Sequence, residues 1–261
     1  MNIFDLTGKV VIVTGGAGHL GHAMSEALLA YGATVYILGQ NLAKNEQLAA
    51  MLNEKYQTAR AKSMAFNIDD TDLIGTAFNA INKCEGHIDV LVNNAAYAKI
   101  VSLDNCNNED WAKGIEGTIN ATARVTRAAL PYMQIQKSGS IINIGSMYGM
   151  VAPDMRIYGT SGQNNPASYG AGKAAIIQLT KYIASVYGAA GIRANAVSPG
   201  PFPNPDVQKN KEFTQNLASK NPMNRIGEPR DLMGIIVYLA SDASSYTNGQ
   251  NIAVDGGWTA W

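Results

Sequence analysis

Seven short runs of β-branched and aliphatic residues recur along this chain: Lys9–Thr14, Thr34–Leu38, Ala61–Phe66, Ile88–Val92, Ser140–Ile144, Arg193–Ser198 and Asn251–Val254. Their Val and Ile side chains follow one another without the polar alternation of a strand that has one wet face. Such strands must be covered on both faces, which is the condition of a parallel sheet. Between them lie segments with apolar residues at helical spacing, among them His22–Tyr31, Thr71–Lys83, Trp111–Gln134 and Ala167–Tyr187. Strand and helix in alternation imply right-handed crossovers and predict an α/β fold, a doubly wound Rossmann-type parallel sheet of about seven strands. Ligands then gather beyond the carboxyl ends of the strands, at the switch point. With no repeat, low-complexity tract or linker-like shift in composition, residues 1–261 read as a single dinucleotide-binding catalytic domain.

Charge and composition remove several classes of partner. Lys and Arg total 20 and Asp and Glu total 20, so no basic excess argues for nucleic acid or an anionic membrane. The two cysteines, Cys84 and Cys106, have no metal-ligand spacing and suit a reducing compartment or chance. No metal is expected. The N-terminal Met1-Asn2-Ile3-Phe4-Asp5 lacks the basic start and apolar core of a secretory signal, and no run approaches the ~18 apolar residues of a membrane span. The expectation is a cytoplasmic protein acting on a small-molecule substrate.

The run Val10-Val11-Ile12-Val13 leads directly into Thr14-Gly15-Gly16-Ala17-Gly18-His19-Leu20-Gly21, and a helix follows. Glycines allow a tight turn and close approach of backbone to a pyrophosphate, which then faces the N–H groups of the helix start. An ordinary tight turn reads the same way when taken alone. In its strand-turn-helix setting the segment resembles the TGxxxGxG fingerprint of the classical short-chain dehydrogenase/reductase family, with His19 where that pattern has its middle glycine. Gly18 can supply the missing flexibility. His19 itself is either a phosphate neighbour or a solvated loop histidine.

The resemblance implies NAD or NADP as cofactor. An acid near the end of the second strand selects NAD in that family, and a following Arg holds the NADP phosphate. Here those positions hold Gly39 and Gln40, so neither cofactor is enforced. Asn67 and Ile68 match the pair flanking adenine, and Asn93-Asn94-Ala95-Ala96 resemble the family's NNAG. For Asn94 a purely structural role in bonding loop backbone is the preferred reading. Pro199-Gly200-Pro201-Phe202 match the turn at the nicotinamide end, and Asn204 sits where many members have a Thr bonding the carboxamide. The resemblance therefore nominates Gly15, Ala17, Gly18, His19, Leu20, Gly21, Gln40, Asn67, Ile68, Asn93, Ala95, Pro199, Phe202 and Asn204 for cofactor contact.

Tyr169-Gly170-Ala171-Gly172-Lys173 is a YxxxK motif with Asn165 and Pro166 as helix-start residues before it. On a helix, Tyr169 and Lys173 share a face. A phenol near pKa ~10 is a poor base at neutral pH, and a neighbouring ammonium, with the positive nicotinamide ring of an oxidised cofactor, favours phenolate. By resemblance Lys173 also bonds the nicotinamide ribose. Ser146 closes Ile141-Ile142-Asn143-Ile144-Gly145-Ser146, a strand whose end should face the same cleft, where its hydroxyl can bond the reacting oxygen. The family's catalytic Asn falls on Thr118, leaving Thr118 or a water for its role, with Asn120 on another helix face.

Ser146 and Tyr169 stand further apart than the family's usual spacing, through an extra segment at 152–164. It reads as a loop over the active site or as an inconsequential surface insertion. Arg156 is its only cation and pairs either with a substrate anion or with nearby Asp154. The segment's Asn, Gln, Ser and Thr content favours a polar, sugar-like or sugar-acid substrate, in keeping with a resemblance to gluconate 5-dehydrogenase-like members. Two other functions stay open: reduction of an acyl or lipophilic ketone, and non-catalytic dinucleotide sensing. A homotetramer is expected, closing over apolar helices and the aromatic end at Trp258 and Trp261.

Overall fold

The computed structural model describes residues 2–260. Trp261, one of the two aromatic residues expected to seek an interface, lies outside them. Seven strands form one sheet: β1 (Val10–Thr14), β2 (Thr34–Gly39), β3 (Ala61–Ala65), β4 (Val90–Asn93), β5 (Gly139–Ile144), β6 (Ile192–Pro199) and β7 (Asn251–Val254). Their order is β3-β2-β1-β4-β5-β6-β7, and every pairing is parallel. The chain returns from the β3 edge to place β4 against the other side of β1, so the switch point lies between β1 and β4.

Eight helices connect these strands: α1 (His19–Ala30), α2 (Leu42–Lys55), α3 (Thr71–Glu85), α4 (Asn108–Ile115), α5 (Ala121–Gln136), α6 (Ala167–Tyr187), α7 (Lys211–Lys220) and α8 (Met233–Ala240). On one face of the sheet Val11, Val13, Val35 and Ile142 pack against Met24 and Leu28 of α1, Leu48 and Leu52 of α2, and Ile236 of α8. On the other, Val10, Ile12, Leu91 and Ile141 pack against Phe78 of α3, Val125 of α5 and Ile183 of α6. Successive strand residues point to opposite faces, and both faces are core. That is why the strand sequences are apolar without alternation.

The segment expected as one helix, Trp111–Gln134, is instead α4, a π-turn at Glu116–Asn120, and α5. Local hydrogen bonds explain the break. Thr118 Oγ1 donates to the Gly114 carbonyl at 2.6 Å, and the Gly117 carbonyl turns out to accept the Tyr97 N–H at 3.0 Å. Both interactions compete with the regular ladder and widen one turn. Gly117 permits this approach, since a Cβ there would meet the Tyr97 ring at 2.5 Å.

A third apolar cluster stands beyond the carboxyl edge. Met147, Ile157, Tyr158, Phe213, Leu217 and Trp258 are buried together there. It joins the 152–164 insertion to α7 and to the C-terminal turn. Trp258 is only 5% exposed, so its aromatic surface is already covered within the subunit and does not need a partner chain.

Candidate active site

The phosphate turn is built by exclusion of side chains. Gly15 takes φ +62°, and its N–H donates to the Leu38 carbonyl at 2.7 Å. A Cβ on Gly21 would lie 2.1 Å from the Gly15 carbonyl oxygen, so only glycine lets α1 start this close to the turn. Gly18 caps α1 without a side-chain hydrogen bond, leaving first-turn N–H groups for a ligand. Asn94 pins the turn from β4, its Nδ2 donating to the Thr14 and Gly15 carbonyls at 3.0 and 3.1 Å. The structural role preferred for Asn94 is thus what the geometry shows, and its side chain also faces the cleft.

That cleft runs along the carboxyl edge of the sheet. Gly15, Gly18, His19, Leu20, Gly39, Gln40, Ile68 and Ala95 line its β1–β2 end, with Phe66 and Tyr97. Here Gln40 Nε2 donates to Asn67 Oδ1 at 3.0 Å, which engages both amides nominated for the adenosine. Leu20, Asn94, Ser146, Tyr169, Lys173, Pro199 and Phe202 enclose the middle. Neither Ala17, which packs against the core on the α1 side of the sheet, nor Asn67 stands on a wall of either hollow.

Three nominated residues are not where the sequence reading put them. Asn93 is 5% exposed; its Nδ2 donates to Thr126 Oγ1 and Asn143 Oδ1, both at 2.9 Å, so its side chain belongs to a polar chain inside the core. Adjacent residues of a strand face opposite ways, and here Asn94, not Asn93, has the cleft side. Thr118 is fully buried with its hydroxyl on the Gly114 carbonyl, and a Cβ on Gly172 would stand 1.9 Å from it. It spaces the π-turn against α6 and does not reach the cleft. The Arg156 side chain is 86% exposed and forms a bidentate pair with Asp154 at 2.8 and 2.7 Å. Lys220 also approaches Asp154, at 3.4 Å. Arg156 therefore faces solvent rather than substrate.

Ser146, Tyr169 and Lys173 do meet. Ser146 stands two residues beyond β5 and caps a short turn, its Oγ accepting the Tyr148 N–H at 3.1 Å. Burial raises the Tyr169 phenol above its ordinary pKa, and a hydrogen bond from Ser146 only partly offsets this. The Lys173 Nζ lies 5.5 Å from the Tyr169 ring centroid and donates to the Ile144 carbonyl at 2.6 Å. Burial lowers the Lys173 ammonium to about 8. Without a bound dinucleotide, desolvation is the largest influence on the phenol, which lies above its ordinary pKa.

The cleft continues into a substrate-sized hollow of about 610 Å³ between Tyr97–Ile100, the insertion, the loop after β6 and α7. The insertion contributes Tyr158, Gln163 and Asn164 to its wall, with Asn165 and Asn204 alongside. The Tyr158 hydroxyl meets the Tyr148 hydroxyl at 2.7 Å, and its ring packs 5.5 Å from that of Phe213. Burying side chains such as Ile157 and Tyr158 contributes roughly 2 kcal/mol each, against less than about 1 for an exposed pair such as Asp154–Arg156. The apolar cluster, not the ion pair, holds this loop over the cleft. Tyr97 and Tyr148 escaped the sequence reading. Tyr97 directly follows Asn93-Asn94-Ala95-Ala96, which was the only signal available.

A family model described as enoyl-(acyl carrier protein) reductase matches residues 15–259. The chain belongs to the short-chain dehydrogenase/reductase family. It is an NAD(P)-dependent oxidoreductase acting on CH–OH groups. It is 36% identical to a 3-oxoacyl-(acyl-carrier-protein) reductase of Thermotoga maritima, over 97% of this chain and 98% of that protein. It is equally 36% identical to a ribulose-forming D-arabinitol 2-dehydrogenase of Candida albicans, over 99% and 95%. A crystal structure of a gluconate 5-dehydrogenase from Burkholderia cenocepacia, in complex with NADP and tartrate, superposes with TM-score 0.90 at 28% identity, covering 100% of this chain and 98% of that one. The Gly21 clearance, the uncapped start of α1 and an orphaned buried ring nitrogen on His19 all fit the dinucleotide this family uses. Among the described residues no cluster of metal-ligating side chains occurs, and no helix is long and apolar enough to cross a membrane.

Proposed function

We propose that this short-chain dehydrogenase/reductase interconverts a secondary alcohol and a ketone on an uncharged, polyhydroxylated substrate, a polyol and its ketose. The lining of the hollow carries this reading. Its polar groups are four carboxamides (Gln163, Asn164, Asn165, Asn204) and the hydroxyls of Ser146, Tyr97, Tyr148, Tyr158 and Tyr169, with no charged side chain among them. No other group among the described residues engages the Gln163 or Asn165 side-chain amides. A lipophilic chain would bury these amides unpaired, at a cost of about 1–3 kcal/mol each. A carboxylate would find no counter-ion once Arg156 faces solvent. The arabinitol dehydrogenase relative supports a polyol, and the acyl reductase relative is the competing reading.

When bound, the nicotinamide supplies or accepts the hydride. Tyr169, protonated at neutral pH, gives its proton to the carbonyl oxygen in reduction and regains it in oxidation. Ser146 Oγ hydrogen-bonds the same oxygen as charge gathers on it. Lys173 holds the ribose and, when charged, eases loss of the Tyr169 proton. NAD and NADP both suit a β2 end with neither acid nor guanidinium. The 1–261 chain works as one catalytic domain with 152–164 as its active-site loop. The exposed Ile135, Tyr182 and Val186 on α5 and α6 support a homotetramer.

The experiment is a panel of polyols, ketoses, aldonates and 3-oxoacyl thioesters read by nicotinamide absorbance with each cofactor. Tyr169→Phe serves as the inactive control. The reading expects the highest kcat/KM on a neutral polyol or ketose. A preference for an aldonate or an acyl thioester overturns it.

A further inference from the structure

His19 departs from the family glycine, and the structure gives it an unusual setting. It is the first residue of α1, on the wall of the cleft with Gly15, Gly18 and Gln40. Its Nε2 is one of only two buried side-chain polar atoms without a hydrogen-bond partner among the described residues. Across the cleft the backbone of Phe202 and Pro203, in the loop after β6, faces the ring. Pro203 has no N–H, so the group it offers is a carbonyl, which favours a protonated imidazole. Burial outweighs this and holds the ring below its ordinary pKa, hence neutral at pH 7 before cofactor binds. An unpaired buried nitrogen is costly, and native structures seldom keep one without use.

The charges on elements around the ring are paired with one another: on the Pro229–Leu232 turn against α1, Asp231 pairs with Arg225 and Arg230 with Glu228. On α1, His22 lies 3.8 Å from Glu26, one turn further along. The β1–α1 turn and the end of β2 bring only Gly15–Gly18, Gly39, Gln40 and Asn41. The segment after β4 brings Tyr97 alone. In the loop after β6, Pro199–Asn204 are uncharged, and Asp206 pairs with Lys209 on the surface. Lys173 and Tyr169 line the middle of the cleft, with Leu20 rather than His19.

We propose that His19 is a phosphate ligand of this enzyme that takes up one proton as the dinucleotide binds. The ring gains a proton from solvent. None is released by the pyrophosphate, which is already ionised. The imidazolium then holds a phosphate oxygen on one side and the Phe202–Pro203 carbonyls on the other, drawing the loop after β6 onto the cofactor. In this chain a side chain does part of what backbone N–H groups do elsewhere at a helix start. The proposal concerns cofactor binding alone and stands or falls independently of the substrate.

The test is calorimetry of NADH and NADPH binding to the substrate-free protein near pH 7, in buffers of different ionisation enthalpy. It is joined to dissociation constants from nicotinamide fluorescence between pH 6 and 9. Wild type should take up a substantial fraction of a proton, and its Kd should weaken about tenfold as pH rises, the loss of one charge-assisted hydrogen bond. His19→Gly and His19→Asn should take up almost none and bind with a nearly flat pH profile. Subtracting them also removes the cofactor's own titration. His19→Asn keeps a polar side chain at the start of α1, so it reports even if glycine there loosens the turn. Proton uptake by wild type no greater than by the variants, or variant affinities equal to wild type at pH 6, would overturn the assignment.

Discussion

Lys173→Met offers a test of how the active site stores free energy. The Lys173 ammonium is buried, its one hydrogen bond runs to the Ile144 carbonyl, and no carboxylate lies beside it. Burial lowers it from 10.5 to about 8, which corresponds to about 3 kcal/mol of destabilisation while the group is charged. The sign follows from proton counts. Below about pH 8 both folded and unfolded chains carry the proton, and the whole penalty is felt. Between about 8 and 10.5 the unfolded chain retains a proton that the folded chain has lost, so stability rises with pH. Methionine fills the same space without charge but leaves the Ile144 carbonyl unpaired, which costs about 1–2 kcal/mol. At pH 7 the cofactor-free variant should therefore be about 1–2 kcal/mol more stable than wild type, a Tm gain of roughly 2–6 °C for a chain of this size. Near pH 10 the advantage should vanish or reverse, since neutral Lys173 keeps its hydrogen bond. Thermal melts of both proteins without cofactor, from pH 7 to 10, measure the difference, and oxidoreductase activity should be lost throughout. Melting curves that shift in parallel with pH would show that Lys173 is not desolvated as described.

Other substitutions separate the remaining roles. Arg156→Ala should leave kcat and KM unchanged on neutral and acidic sugars and alter stability by no more than about 0.5 kcal/mol, as for an exposed pair; a several-fold rise in KM confined to acidic substrates would bring Arg156 back to the cleft. Thr118→Val should cost about 1 kcal/mol through the lost bond to Gly114, with kcat retained. A hundredfold fall in kcat at unchanged melting temperature would instead put its hydroxyl in a proton path. Gln40→Arg should tighten NADPH relative to NADH by tenfold or more through a charge-assisted bond, measured by fluorescence titration; an unchanged ratio would mean the β2 end does not face the adenosine ribose.

The sequence by itself determined the architecture and nominated Ser146, Tyr169 and Lys173, which the fold brings together. Val and Ile runs without alternation require a sheet covered on both faces, and glycines packed between a strand and a helix require a turn that approaches a ligand. Tyr169 and Lys173 are four apart on one helix, and Ser146 follows directly on a strand that must end at the same edge. These are local properties, fixed by backbone sterics and by period. What only the tertiary structure decided is which way a side chain turns once its element is placed. Asn93 and Asn94 are chemically identical neighbours, and the sheet's orientation sends the first into the core and the second to the cleft. Thr118 matches a catalytic position by counting, yet a widened helical turn gives its hydroxyl to Gly114. Arg156 lies between Ser146 and Tyr169 in the chain, yet burial of Ile157 and Tyr158, which follow it in a tight turn, leaves it in water. Trp258 reads from the sequence as an interface residue, yet Met147, Phe213 and Leu217 cover it within the subunit. Even the protonation of Tyr169 follows this rule. Sequence spacing says that an ammonium stands near the phenol, but the sum of desolvation and hydrogen bonding, which sets its pKa, depends on every element packed around it.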